Sequence, residues 1–189
     1  MGGHDAWSCD IKPTRSPGNH YECDVRKVLD KQWDLLIAHP VCKILTNAGV
    51  RWLYKRGTRE RIEERWALLK PAADFYNLFV DADHIPRRVI ENPIMHGHAK
   101  ALVHQLGELQ YVQPWELGDP YTKRTGLRLI NVPRLVKTHR KSDYPEIFAE
   151  CHKMGPGPER ESLRSRTYPA VATAFARQWG MLNEQRIAA

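Results

Sequence analysis

The sequence predicts an α/β fold of parallel strands flanked by helices, on the strength of two short apolar runs and the helical stretch between them. The first run is Trp33-Asp34-Leu35-Leu36-Ile37-Ala38-His39-Pro40-Val41-Cys42 and the second is Arg88-Val89-Ile90-Glu91-Asn92-Pro93. A core of about five apolar residues with polar flanks suits a strand buried on both faces of a parallel sheet. Each run is broken by a proline. Between them Thr58 can cap a helix in which Ile62, Trp66, Leu69, Ala73 and Tyr76 keep a three-to-four spacing, with Pro71 expected to kink or split it. The three pieces make a strand, helix, strand unit with its strands side by side and a right-handed crossover.

Ligands of open α/β sheets sit beyond the carboxyl ends of the strands. The two runs therefore deliver Cys42 and Glu91 to one edge, as a candidate shared site. Taken alone, Cys42 reads more simply as core, because free cysteine is among the most buried residue types. The equivalent placement of Glu91 favours a site.

In chain order, Ala6 to Cys9 reads as a short strand ending in the acid Asp10, and Ile11 to Tyr21 as loop, with Pro13, Pro17, Gly18 and Asn19. Tyr21 to Val25 reads as a second brief strand ending at Asp24, followed by a helical turn to Leu29. Aspartate is common at turns, which accounts for both acids without a function. After Cys42, Val50 to Tyr54 is helical and closed by Gly57. After Pro93 the sequence suggests a helix from about His98 to Leu109, a short strand at Tyr111 to Trp115, a turn at Gly118-Asp119-Pro120, and Leu127 to Ile130 as an antiparallel partner strand. Lys137 to Pro158 reads as an extended loop. The last helix spans Pro169 to Gly180, with Thr167 near its cap and Val171, Ala174, Phe175 and Trp179 on one face.

At 189 residues and 42% hydrophobic content the chain has material for one domain with a real core. No apolar stretch approaches the roughly 20 residues that span a bilayer, and the N-terminus has no signal-peptide core. The expectation is a soluble, cytoplasmic protein without a membrane partner. Four cysteines, Cys9, Cys23, Cys42 and Cys151, without CxxC spacing point to reduced thiols. The net charge of +7, concentrated in Arg51 to Arg65 and Lys137 to Arg166, favours an anionic partner such as nucleic acid or a nucleotide. His96-Gly97-His98 and Cys151-His152 hold metal-binding side chains at no recognised zinc spacing, so no metal site is expected.

These residues resemble class I S-adenosylmethionine-dependent methyltransferases of the DNA cytosine-C5 type, specifically short methyltransferase-like proteins of phages and prophages. His39-Pro40-Val41-Cys42 stands in place of the group's proline–proline–cysteine motif, and Ile90-Glu91-Asn92-Pro93 in place of its Glu-Asn motif. Gln113-Pro114-Trp115 with Thr122-Lys123, and Arg164 to Pro169 before the last helix, extend the likeness over nearly the whole chain. The resemblance implies a Rossmann-like, mostly parallel sheet flanked by helices, with S-adenosylmethionine as cofactor and DNA or a cytosine nucleotide as partner, in a bacterial host cell. It implies that Asp10 holds the cofactor ribose and Asp24 the adenine, with His39 and Pro40 as further cofactor-side residues and the Pro169 helix closing over the site. Cys42 becomes the nucleophile, Glu91 its partner at ring N3, and Lys123 or Arg124 the basic residue near the target base.

Three departures accompany the likeness. The family carries a central strand and a cofactor-wrapping glycine loop before the stretch matching His4 to Asp10, and the chain starts at Met1 without them, which implies a truncated sheet and a weak or lost cofactor site. Val41 replaces a proline and Lys43 follows the cysteine. About forty residues between Lys123 and the last helix are too few for a target-recognition domain. The alternative expectation is a non-catalytic basic DNA-binding protein that keeps the fold.

Overall fold

A computed structural model describes residues 4–14, 16–149, 164 and 166–180. Strands β1 (Trp7–Asp10) and β2 (Asn19–Glu22) open the chain, followed by helix α1 (Arg26–Leu29), strand β3 (Leu36–Ala38) and helix α2 (Asn47–Val50). Helices α3 (Glu63–Trp66) and α4 (Leu69–Val80) lead to β4 (Arg88–Pro93), α5 (Gly97–Lys100), β5 (Glu108–Val112), β6 (Thr125–Ile130) and the final helix α6 (Pro169–Trp179).

The mostly parallel Rossmann-like sheet expected from the sequence is not what forms. β1 and β2 pair in parallel as a sheet of their own, and the other strands make a second sheet in the order β3-β4-β6-β5. Only β3 and β4 are parallel there; β6 is antiparallel to both β4 and β5. The length and content of the connections explain this. Parallel neighbours need a crossover of about a dozen residues or more, usually helical. The segment joining β3 to β4 carries α2, α3 and α4, whereas residues 113–124 between β5 and β6 hold only a single 3-10 turn, Pro114–Glu116, and the chain doubles back. Leu127 to Ile130 thus lies in an antiparallel strand, as its alternation predicts.

The helix expected from His98 to Leu109 stops at Lys100. Asn77 captures the chain beyond it, donating to the Leu102 carbonyl at 3.0 Å and accepting from the His104 amide at 2.8 Å. Gly107, at φ +76°, then turns the backbone into β5. The helix expected from Thr58 begins only at Glu63 and is divided at Ala67-Leu68, which leaves Pro71 in the first turn of α4, where proline is tolerated.

Two apolar layers sandwich the four-stranded sheet. On one face Leu69, Ala73, Tyr76, Phe79 and Val80 of α4 pack with Ile90 and Ile130. On the other, Val171, Ala174, Phe175 and Trp179 of α6 pack with Val89, Val112, Leu127 and Leu129. Burying four side chains of α6 at roughly 1.5–3 kcal/mol for each large one outweighs the weak propensity of an isolated 11-residue helix. Trp179 is fully buried and its indole N–H donates to the Pro133 carbonyl at 2.9 Å, so no polar group is stranded there. The β1–β2 sheet is joined to this body through α1, whose Leu29 enters the α4 layer while Arg26 lies over the Phe75 ring.

Candidate active site

β3 and β4 run side by side with Ala38 opposite Ile90, so His39, the first residue beyond β3, comes level with Glu91, which is still inside β4 and paired with Leu127 of β6. His39 Nδ1 stands 3.5 Å from a Glu91 carboxylate oxygen. The Glu91 side chain is 16% exposed and that of His39 42%, so the carboxylate sits at the floor of a cleft and the imidazole at its lip. Glu91, Lys123 and Thr125 line this cleft together with Val112, Pro114 and the Thr167-Tyr168 entry to α6, and the cavity is small, about 30 Å³.

Beyond His39, Pro40 is buried and the chain turns through Cys42, whose carbonyl accepts from the Leu45 and Thr46 amides at 2.9 and 3.1 Å. The extension of β4 fastens this turn: the Ile94 carbonyl accepts from Asn47, the Leu45 carbonyl accepts from His96, and Thr46 bridges Met95. His96 is the central pin. Its Nδ1 accepts from the Ala99 amide at 3.1 Å, which leaves the proton on Nε2, donated to the Ile44 carbonyl at 2.8 Å. His96, which the sequence offered only as a metal-binding side chain at no recognised spacing, is 3% exposed. Among the described residues no group of three or more His, Cys, Asp or Glu is placed to hold a metal ion.

Burial pushes the Cys42 thiol above its ordinary pKa, and the Glu91 charge pushes in the same direction. Its own backbone amide, then Lys123 and Arg164, pull it back. Cys42 does not line the cleft that Glu91 and Lys123 share; it lies four residues beyond the end of β3, within reach of their charges. No helix start lowers the thiol, because α2 is a single turn.

Lys123 and Arg124 part company. The Lys123 amide accepts restraint from the Gln113 side chain, to which it donates at 2.9 Å, and its ammonium donates to the Arg166 carbonyl at the cleft. The Arg124 guanidinium lies 4.6 Å from the centre of the Tyr111 ring and does not line the cleft. Tyr168, stacked on Tyr121 with ring centres 5.0 Å apart, and Thr125 are lining residues that sequence reasoning did not single out. Thr125 lies opposite Pro93 in the pairing of β6 with β4, a register that only the reversal of the chain reveals.

The acids assigned to S-adenosylmethionine stand on the other sheet. Asp10 ends β1 and accepts the Lys12 amide at 2.9 Å; Asp24 follows β2 and is occupied by Arg26 through both its amide, at 2.9 Å, and its guanidinium, at 2.8 Å. These contacts, the backbone amide first, hold the Asp24 carboxyl below its usual pKa. Neither acid lines the cleft, and among the described residues the carboxylate that does is Glu91.

Cys9, Cys23 and Cys42 are free thiols, and Cys151 lies outside the described residues, as do Gly155 to Pro158 of the expected extended loop. No described helix is long and apolar enough to cross a membrane. No family model, no curated protein and no solved structure matches this chain.

Proposed function

We propose that this is a methyltransferase-like protein acting on cytosine in DNA, with S-adenosylmethionine bound weakly or not at all, and that its own residues perform the base-activating half of the chemistry. The observation that supports it is a cleft lined by Glu91 of β4 and by Lys123, with Cys42 four residues beyond the neighbouring parallel strand and within reach of both charges.

Carbon 5 of cytosine is a poor nucleophile. Adding a thiolate at carbon 6 forms a carbon–sulfur bond and moves the C5=C6 electron pair onto carbon 5, with the charge shared toward N3. The Cys42 proton passes to the Glu91 carboxylate, and the resulting carboxylic acid hydrogen-bonds and protonates N3 as charge develops. Once Glu91 is neutral it no longer opposes the thiolate, while Lys123 and Arg164 still favour it. Carbon 5 then takes an electrophile, here a solvent proton; loss of the original carbon-5 hydrogen and expulsion of the thiolate restore the ring. A base in duplex DNA must leave the stack to reach the cleft.

This cycle exchanges the carbon-5 hydrogen with water and needs no methyl donor, so it is the test. Release of tritium from DNA labelled at carbon 5 of cytosine is expected from the wild type and is abolished by Cys42→Ser, since a hydroxyl of far higher pKa does not add unaided. Glu91→Gln, which hydrogen-bonds without supplying a proton, is expected about a hundredfold slower, or roughly 3 kcal/mol. Release unchanged in Cys42→Ser would contradict the mechanism.

The second reading, a non-catalytic basic DNA-binding protein, draws support from the raised Cys42 pKa and from the distance in the fold between the acid pair and the cleft. It predicts DNA binding with no tritium release.

A further inference from the structure

We propose that Arg51 to Trp66 forms a stacking and phosphate-binding surface for a single nucleic-acid strand, placed immediately after the Cys42 turn. The proposal deepens the reading of cytosine in DNA as the substrate and rests on it for the identity of the ligand.

Trp52 is 54% exposed, although tryptophan is among the side chains that gain most from burial. The Arg51 guanidinium lies 4.8 Å and that of Arg65 5.8 Å from its ring centre, so the indole is framed by cations. Arg65 also donates to the Trp52 carbonyl at 2.7 Å, tying α3 to the 3-10 turn Arg51–Leu53 and fixing the ring on a rigid base. Below it Tyr54, Trp66 and His98 form an interlocked aromatic cluster, with the Tyr54 hydroxyl 3.0 Å from His98 Nε2. Arg61 covers the Trp66 ring at 4.1 Å.

The charge is open to a partner. Arg51, Arg56, Arg59 and Arg61 are exposed, and none of them forms an ion pair with a described carboxylate; Lys55 is the cation here that does, with Glu60. Exposed guanidiniums around an exposed indole match a strand of alternating phosphates and bases, in which every base offers a flat face and every linkage a charge. A protein acid patch would satisfy the arginines and leave the indole without a flat partner. The Leu45 to Thr46 backbone that holds Cys42 leads directly into α2 and then into this surface, which packs on the α4 side of the sheet through Leu53, Tyr54 and Trp66.

The test is fluorescence anisotropy of the full chain with a labelled thymidine-only 12-mer, which has no cytosine and is therefore blind to Cys42 chemistry. Trp52→Ala is expected to weaken binding about tenfold and Trp52→Phe to restore most of it. Arg51, Arg56 and Arg59 changed together to Ala should reduce the slope of log affinity against log salt by about two, at roughly 0.7 for each lost contact with a single strand. Thermal melts establish that these exposed substitutions leave the fold intact. Absence of binding by the wild type, or affinity and slope unchanged in the variants, overturns the proposal, as does equal Trp52-dependent binding of a polyglutamate peptide. Loss of thymidine-strand binding in the variants with no tritium release from cytosine would sustain this surface while sinking the cytosine chemistry.

Discussion

Cys42 and Glu91 oppose each other when both carry negative charge. Burial acts first on the thiol and the Glu91 carboxylate second, so removing that carboxylate lowers the thiol pKa, whereas removing Lys123 raises it. Alkylation by iodoacetamide at pH 8, read by mass spectrometry on the Cys42 peptide, is expected to be several-fold faster in Glu91→Gln and slower in Lys123→Met. Equal rates in all three proteins would separate the charges that the site model couples. His96 makes a second residue-level prediction. Burial lowers its pKa, because a protonated ring would face the Ala99 amide with a donor and carry charge in the core. The unfolded chain then binds the proton more readily. The stabilisation is complete above about pH 6.5, the unfolded value, and is lost as pH falls through the lower folded value. Urea denaturation should show this slope, flattened in His96→Gln. At this scale the apolar runs were legible as strands β3 and β4, since buried strands need such runs, but not that Glu91 stays paired inside β4 or that His39 stands beside it. The reading left Lys123 and Arg124 undivided, because adjacent residues point to different sides and only Lys123 lines the cleft.

Among the elements, α6 lies closest to the extent read from the sequence, because a proline start and a four-residue apolar stripe are local signals. Its cap is not local. The Asp119 carboxylate, fifty-one residues earlier, accepts from the Ala170 amide at 2.7 Å and does the work that an N-cap side chain would do. Asp119→Ala is expected to cost about 1 kcal/mol in urea denaturation, with Asp119→Asn, which keeps an acceptor oxygen, costing less. Because α6 roofs the cleft through Val171 and Phe175, the same change should also loosen the site. The segment after Pro93 shows the opposite case. Its apolar spacing permits a helix to Leu109, yet Asn77 takes the amide of His104 and the carbonyl of Leu102, and a contact twenty-five residues away overrides local propensity.

Across the whole molecule, the division into two sheets decides what the protein can do. The parallel pair β3 and β4 sets His39 beside Glu91, and Thr125 of β6, with Lys123 just before it, closes the same cleft. The acids that ended the first two predicted strands are elsewhere, Asp10 on β1 and Asp24 just after β2, two strands that form a sheet of their own. Strand pairing between distant segments leaves no period in a sequence, so a reading that placed the strands individually still assigned them to the wrong sheet. Glu91 and Lys123 are consequently gathered in one cleft, and Asp10 and Asp24 are not.

The central claim is that Cys42 attacks carbon 6 of a cytosine-like ring, and the most direct measurement is capture of the adduct. A DNA strand carrying a 2-pyrimidinone in place of one cytosine lacks the electron-donating amino group, so its carbon 6 is more electrophilic and the addition product accumulates. Incubation with the purified chain, denaturing electrophoresis and peptide mass spectrometry are expected to give a denaturation-stable adduct on Cys42, absent in Cys42→Ser and much reduced in Glu91→Gln. A wild-type chain that binds this strand yet forms no adduct, or one that forms it on Cys9 or Cys23 instead, would contradict the account.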